Sequence, residues 1–233
     1  MKTEKISTGT GIIVAGIFIA AAIFFSRGGA APQVASTTTK ITVPTYTVKA
    51  EASGDHYIGK ADAPIVITEY SDLECPFCKQ AHPTVHKVLE AYKDEVGVEY
   101  VHFPLSIHPK AQKEAEAAEC VYKLGGNVAF WSFIDTIFAI TPANNGLDAA
   151  LLPEVAKKVG VNEKQFMTCL DSGEMADKVA IDQARGTANG VKGTPQFVIT
   201  SRATGKSITI PGAIPFEQFK LKIEEVLSGG GQV

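Results

Sequence analysis

Two cysteines, Cys75 and Cys78, lie at the junction of two unlike segments and set the strongest limit on the fold. The segment before them, residues 63–70 (APIVITEY), is short, apolar and β-branched, which predicts a buried strand. The segment after them, residues 76–95 (PFCKQAHPTVHKVLEAYKDE), has helical spacing and begins with a proline, which suits a first helical turn. The C-x-x-C pair therefore lies at a strand-to-helix turn. By itself it is compatible with a metal site, a structural disulfide or a redox couple.

The remaining segments predict a small mixed sheet with a helical insertion. Residues 97–105 (GVEYVHFPL) form a second strand, so the first half is β-α-β. Residues 106–190 contain several helical segments and no convincing strand. Residues 194–200 and 206–210 predict a hairpin, and residues 215–230 a final helix. Because a parallel β-α-β unit needs a sheet covered on both faces, this order predicts an α/β fold.

The N-terminus predicts export from the cytoplasm. Residues 11–25 are strongly apolar and would rise about 22 Å as a helix, so residues 6–10 are needed to span a bilayer core of about 30 Å. With Lys2 and Lys5 in front, residues 1–26 predict an N-in signal anchor, or else a cleaved signal peptide. Either one places the rest of the chain outside the cytoplasm, where disulfides persist.

The rest of the chain divides by composition. Residues 27–55, rich in Ala, Thr, Ser, Gly and Pro, predict a flexible linker. Residues 56–228 form the predicted folded domain, with its helical insertion at about 106–190, and residues 229–233 a disordered tail. The formal charge of −3 and the lack of a basic stripe argue against a nucleic-acid-binding protein.

Four stretches carry a family resemblance: APIVITEYSDLECPFC, FPLSIHPKAQKEAEAAEC, GVKGTPQFVI and PGAIPFEQF. Together they frame residues 55–228, which resemble the DsbA-like branch of the thioredoxin superfamily. A C-x-x-C with a Gly-Thr-Pro at this spacing is specific, whereas either motif alone is not. The resemblance implies a thioredoxin fold (β-α-β … β-β-α) with a helical insertion. It also implies protein thiol-disulfide oxidoreductase activity that needs no organic cofactor and no metal.

The residues around the cysteines have distinct expected roles. At a helix N-terminus the thiolate of Cys75 is favoured, and the resemblance assigns it the attack and Cys78 the resolving step. Pro76 and Phe77 set the loop between the sulfurs, at the substrate-binding surface. Strongly oxidising members of the superfamily have a histidine where this chain has Phe77, so we expect a milder redox couple. The resemblance makes Glu69 a buried proton relay to Cys78. The alternative is that Glu69 lies at an exposed strand end as a solvated carboxylate.

Thr194-Pro195 matches the cis-proline of the family, which faces the cysteines. The resemblance places both residues in substrate binding, where the Thr194 backbone can pair with an extended substrate segment. Cys120 and Cys169 are expected to form a structural disulfide, although free buried thiols and a redox relay remain open. Cys120 lies in a helical segment predicted to end at Gly125.

A metal site at the cysteines is disfavoured by helical geometry. Cys75, Cys78, His82 and His86 have a zinc-like spacing. On a helix, however, Cys75 and His86 are separated by about 16 Å along the helix axis, whereas all zinc ligands lie within about 2.3 Å of one ion. We therefore predict no metal, with His82 and His86 on the helix surface and with His102 and His108 in structural roles.

These inferences predict an extracytoplasmic oxidoreductase that exchanges its Cys75–Cys78 disulfide with protein thiols. The favoured direction is dithiol oxidation, with substrate proteins and a membrane quinone-linked thiol oxidase as partners. The N-terminal segment would hold the protein at the cell membrane, or the protein would be secreted or periplasmic after cleavage. The alternatives are a disulfide reductase or isomerase of the same fold, and a non-catalytic peptide-binding or chaperone module.

Overall fold

The computed structural model describes residues 41–45 and 56–228. The predicted anchor or signal peptide at residues 1–26, most of the predicted linker at 27–55 and the tail at 229–233 lie outside the described residues. Within the described part, no helix combines the length and the apolar character needed to cross a membrane.

A five-stranded mixed sheet forms the centre of the fold, in the order β1-β3-β2-β4-β5. β2 and β3 are parallel, while β1 pairs antiparallel with β3, β4 with β2, and β5 with β4. This arrangement confirms the predicted thioredoxin-like fold with its β-α-β and β-β-α halves. The strands are β1 (Tyr57–Gly59), β2 (Ile65–Ser71), β3 (Val96–His102), β4 (Gln196–Ser201) and β5 (Ser207–Pro211).

Six helices accompany the sheet in the described part of the chain. The first connects β2 to β3 and the last follows β5, while the other four lie between β3 and β4 and confirm the predicted helical insertion. The helices are α1 (Pro76–Ala91), α2 (Ala111–Ile140), α3 (Leu151–Lys158), α4 (Glu163–Ser172), α5 (Ala176–Ala188) and α6 (Phe216–Leu227).

The two faces of the sheet bury different cores. Side chains at alternate positions of β2 and β3, with α1, α6 and most of the insertion, form the larger hydrophobic core. The opposite face carries a smaller cluster, in which Tyr70, Val101 and Phe103 pack together. Gly186 of α5 lies against this cluster, since a Cβ atom there would come within 2.5 Å of the Phe103 ring. The Asn189 side chain, just beyond α5, donates to the Tyr70 hydroxyl over 2.7 Å.

Helix α2 consists of two arms that meet at Gly126. The backbone there has φ 73° and ψ −172°, a conformation that essentially only glycine adopts, so regular helical geometry breaks. The sequence places the end of a helix one residue earlier, at Gly125. A disulfide between Cys120 and Cys169 joins the first arm to α4, with 5.9 Å between the two Cα atoms. Its loop spans 49 residues, for which the chain-entropy description gives about 4 kcal/mol of stabilisation.

Candidate active site

Cys75 caps the N-terminus of α1 with extended backbone geometry, and Pro76 follows in the first turn. The unpaired backbone amides of this first turn form the electropositive end of the helix, and the Cys75 sulfur lies beside them. Cys75 and Cys78 are both free thiols here and both are buried. Phe77, between them, is 59% exposed and presents an apolar ring at the surface.

The surroundings of Cys75 favour its thiolate. A hydrogen bond from the Cys78 thiol is the largest cause and lowers the pKa of Cys75 from 9.0 to about 6, against the opposing effect of burial. The Thr194 side chain and the backbone amides of Cys78 and Phe77 lower it further. In its protonated form, the Cys75 thiol donates to the Thr194 carbonyl oxygen over 3.3 Å. Cys75 is therefore the sulfur suited to nucleophilic attack and to leaving as a thiolate.

Cys78 has the opposite character. Burial raises its pKa well above 9.0, and the neighbouring Cys75 raises it further. The Asp72 backbone amide, which donates to the Cys78 sulfur over 3.5 Å, is a smaller opposing influence. Cys78 therefore retains its proton at neutral pH, and forming or breaking its bond to Cys75 requires a nearby group that exchanges protons.

Glu69, the sequence-derived candidate for such a group, is buried in the middle of the sheet. It pairs in register with Tyr100 of β3, so both side chains lie on the face that α1 covers. Burial raises the pKa of Glu69 to about 7, while the Ser71 hydroxyl lowers it in part. Neither carboxylate oxygen meets hydrogen-bond geometry with another described residue. The pKa of Tyr100 is raised by burial and then by charges that include Glu69 and Cys78.

The Thr194–Pro195 peptide bond is cis and lies against Cys75. Pro195 immediately precedes β4, and its carbonyl accepts the Gly212 amide over 2.8 Å. The structure thus brings six sequence-derived site residues together at the start of α1, namely Cys75, Pro76, Phe77, Cys78, Thr194 and Pro195. The seventh, Glu69, lies on β2. The disulfide-bonded Cys120 and Cys169 lie apart from this group, in the helical insertion.

The predicted surface position of His82 and His86 is wrong. Their side chains are only 2% and 5% exposed, and both imidazoles contact the Asp135 carboxylate. The reason is that α1 is covered on this face by the second arm of α2, a contact that no local pattern in α1 shows. Burial lowers the pKa of His82 despite the carboxylate beside it.

The structure shows a buried acidic network beside the cysteines that the sequence did not predict. Asp72 accepts hydrogen bonds from the Glu74 and Leu105 amides and from the His108 ring, over 2.7, 2.8 and 2.9 Å. The Glu74 carboxylate accepts two backbone amides near residue 146. Burial, reinforced by Glu74, raises the pKa of Glu114 to about 9, so this side chain is protonated at neutral pH. The available signal was the stretch SDLEC, which puts two acids between an apolar strand and the first cysteine.

Known proteins share this arrangement. A family profile described as thioredoxin matches residues 51–213. Pseudomonas aeruginosa DsbA2 superposes with a TM-score of 0.63 at 31% identity, covering 73% of this chain and 93% of that one. Oxidised BdbD from Bacillus subtilis shares the fold, with a TM-score of 0.66 at 24% identity over 79% of this chain and 100% of that one.

Curated relatives match by sequence as well. Na(+)/H(+) antiporter NhaA 3 from Salinispora tropica is 35% identical over 158 residues, which make up 66% of this chain and 23% of that protein. This chain thus spans about a quarter of the length of the curated relatives it matches. The family profile covers the part of the chain that holds the C-x-x-C, the cis-proline and the buried glutamate. The chain belongs to the DsbA-type thiol-disulfide oxidoreductases of the thioredoxin superfamily.

Proposed function

We propose that this protein is a dithiol oxidase that forms disulfides in other proteins outside the cytoplasm. The observation that carries the proposal is the asymmetry of the two thiols, with the pKa of Cys75 lowered to about 6 and that of Cys78 raised. A low thiol pKa stabilises the reduced form, which makes the disulfide form the stronger oxidant.

The reaction begins with the Cys75–Cys78 disulfide. A substrate thiolate attacks the Cys75 sulfur, the Cys75–Cys78 bond breaks, and Cys78 leaves and takes up a proton. Glu69 supplies that proton from beneath the site, because its pKa of about 7 leaves it partly protonated at neutral pH. A second substrate thiolate then attacks the substrate sulfur of the mixed disulfide, and Cys75 leaves as a stable thiolate. The substrate dithiol has lost two electrons, which the two enzyme sulfurs now hold.

The substrate-binding surface of this proposal consists of Pro76, Phe77, Thr194 and Pro195. Phe77 offers exposed apolar area beside the sulfurs, and the residues before β4 offer backbone groups to an extended peptide. Ile107 is 72% exposed. The next residue in its loop, His108, forms a hydrogen bond with Asp72, which lies near Cys78. An unfolded substrate segment with apolar residues near its cysteine fits this surface.

The cationic and apolar residues 1–26 support a membrane tether with the catalytic domain on the extracytoplasmic side. Such a tether would hold the protein close to a membrane quinone-linked thiol oxidase, which we propose as the partner that restores the Cys75–Cys78 disulfide. The antiporter activity is named for the longer curated relatives and forms no part of this proposal.

The decisive experiment is glutathione equilibration of the full-length protein in detergent, which gives the reduction potential of the Cys75–Cys78 pair. A value between about −120 and −180 mV supports the dithiol oxidase, and a value near about −270 mV would identify a reductase instead. A pair that never exchanges with glutathione would point to a peptide-binding module. Cys78→Ser provides the matched variant: its Cys75 thiolate should attack oxidised glutathione, release reduced glutathione and stop at the Cys75–glutathione mixed disulfide, because no second enzyme sulfur resolves it.

A further inference from the structure

Three metal-ligating side chains meet in the core between α1 and the second arm of α2. The Nε2 atoms of His82 and His86 lie 2.7 and 2.8 Å from the same oxygen of Asp135. All three residues are buried, at 2%, 5% and 7% exposure. The two histidines are four residues apart, so they project from one face of α1, which is the spacing by which a helix chelates zinc.

The cluster contains one acid and no lysine or arginine. Both imidazoles lie against the same oxygen of Asp135, which is the acid of the group. Within residues 41–45 and 56–228, no lysine or arginine forms an ion pair with Asp135. A buried carboxylate is expensive unless a cation neutralises it, and a divalent metal ion held by these three side chains would supply that charge.

The other cluster of possible ligands differs in this respect. His56, Glu119 and Asp182 also converge. There, however, the Lys178 ammonium lies 2.8 Å from Asp182 and 3.5 Å from Glu119, so a cation is already in place. The comparison singles out the cluster on α1 as the one whose charge a metal ion would complete.

We propose that His82, His86 and Asp135 bind one divalent transition-metal ion, with zinc as the best fit. Two imidazole nitrogens and one carboxylate oxygen are borderline donors that suit zinc, whereas calcium and magnesium prefer oxygen alone. With bonds of about 2.0 to 2.1 Å in a tetrahedral site, the donor atoms must move apart to about 3.3 Å, roughly 0.5 Å beyond their present separation. Small rotations of three side chains achieve this.

The position of the site gives the ion a structural role. His82 lies one helical turn beyond Cys78, and Pro83 follows it and removes one hydrogen bond from the ladder of α1. An ion held by His82, His86 and Asp135 ties this weakened part of the active-site helix to α2. The ion therefore stabilises the helix that carries both redox cysteines, without touching them.

The test is a cobalt and zinc titration of the full-length protein in detergent, stripped with a chelator and with Cys75–Cys78 kept as a disulfide so that no thiol can bind. One equivalent of cobalt should produce the visible bands of a tetrahedral ion, without a thiolate charge-transfer band. Elemental analysis of the protein loaded with zinc instead of cobalt should find one zinc per chain. Zinc at about 100 times its dissociation constant should raise the unfolding midpoint by about 5 °C or more.

Variants locate the ion. His86→Gln and Asp135→Asn should each weaken cobalt binding by about 100-fold or more, whereas His56→Gln, in the other cluster, should leave it unchanged. Should a variant fail to fold, the titration of the wild-type protein decides by itself. Oxidised wild-type protein that takes up neither metal overturns the proposal, as does binding that survives His86→Gln but is lost in His56→Gln.

Discussion

Cys75 and Cys78 are identical side chains that the fold places in opposite electrostatic surroundings. Cys75 receives hydrogen bonds from Cys78 and from the first turn of α1, whereas Cys78 lies deeper and is fully buried. The first surroundings lower a thiol pKa and the second raise it, which divides attack from resolution between the two sulfurs.

We expect the side chain at position 77 to limit how far this division goes. Phe77→His should raise the reduction potential by about 30 to 60 mV, because an imidazole N–H toward the Cys75 thiolate adds a charge-assisted hydrogen bond of about 1.5 to 3 kcal/mol. Packing losses are small, since Phe77 is 59% exposed. Glutathione equilibration measures the change, and Phe77→Leu, which brings no donor, should keep the wild-type potential. An unchanged or lower potential in Phe77→His would show that this side chain does not tune Cys75.

We expect Glu69 to lower the stability of the protein at high pH and to speed thiol exchange. Its pKa rises from 4.5 in the unfolded chain to about 7 in the fold, so the native state holds an extra proton between these values. The unfolding free energy of the reduced protein should therefore decrease by on the order of 3 kcal/mol as pH rises through that window. Glu69→Gln should remove this decrease and be the more stable protein above pH 7, yet exchange thiols more slowly because Cys78 loses its proton relay.

Urea unfolding across this pH range, together with thiol-exchange rates, checks both effects of Glu69→Gln. Glu90→Gln is the control, because Glu90 is an exposed glutamate of α1. Equal pH dependence of stability in Glu69→Gln and wild type would contradict a buried, proton-binding Glu69.

Sequence reasoning worked for residues whose type is unusual in its local pattern. Glu69 interrupts an apolar strand, and the Cys-Pro-Phe-Cys turn interrupts a strand-to-helix junction, so both could be identified before the fold was known. His82 and His86 carried no such signal, since a histidine on a helix is ordinary until another helix covers it. The covering side chain, Asp135, lies 49 residues from His86 along the chain and has no pattern that points there.

At the scale of elements, the sequence identified those that are long or have strong end signals. Helices α1 and α6, the hairpin of β4 and β5 and the two parallel strands all follow from periodicity, prolines and glycines. Strand β1 was missed because three residues, Tyr57–Gly59, are too few to show alternation. Its place at the sheet edge depends on β3, where a Cβ atom at Gly97 would lie 1.7 Å from the Tyr57 hydroxyl. Such a long-range fit is invisible in the local sequence.

The break in α2 should depend on one glycine. Gly126→Ala should lower the unfolding free energy by about 1 to 3 kcal/mol, because φ 73° with ψ −172° is strained for any residue with a Cβ atom. No atom lies within 4 Å of the added methyl group, so the loss reports backbone strain alone. Gly193→Ala, also in open space but with no positive φ, is the matched control and should be neutral or slightly stabilising. Urea unfolding measures both, and equal stabilities of the two variants would mean that the break does not need glycine.

At the scale of the whole molecule, the fold couples electron transfer to proton transfer. The sheet supplies Glu69, helix α1 supplies both sulfurs, and the segment before β4 supplies the residues that face them. We therefore expect reduction to change the protonation of groups in two separate parts of the chain, Glu69 on the sheet and the two sulfurs on α1. The number of protons taken up with the two electrons should depend on pH in a way that reveals the thiol pKa values.

Below about pH 6 the reduced protein carries a proton on each sulfur, whereas above it Cys75 is a thiolate and Cys78 keeps its proton. The reduction potential should fall with pH by about 59 mV per unit below that point and by about 30 mV per unit above it, because two protons and then one accompany two electrons. Equilibration against a dithiol of known potential in the Glu69→Gln variant isolates the sulfurs from the other nearby acid. Cys78→Ala cannot form the disulfide, but its Cys75 pKa, read from thiolate absorbance, should lie above the wild-type value because the largest stabilising hydrogen bond is gone. A single slope of about 59 mV per unit between about pH 5 and 8 would mean that Cys75 keeps its proton throughout this range, and the asymmetry that favours a dithiol oxidase would then be lost.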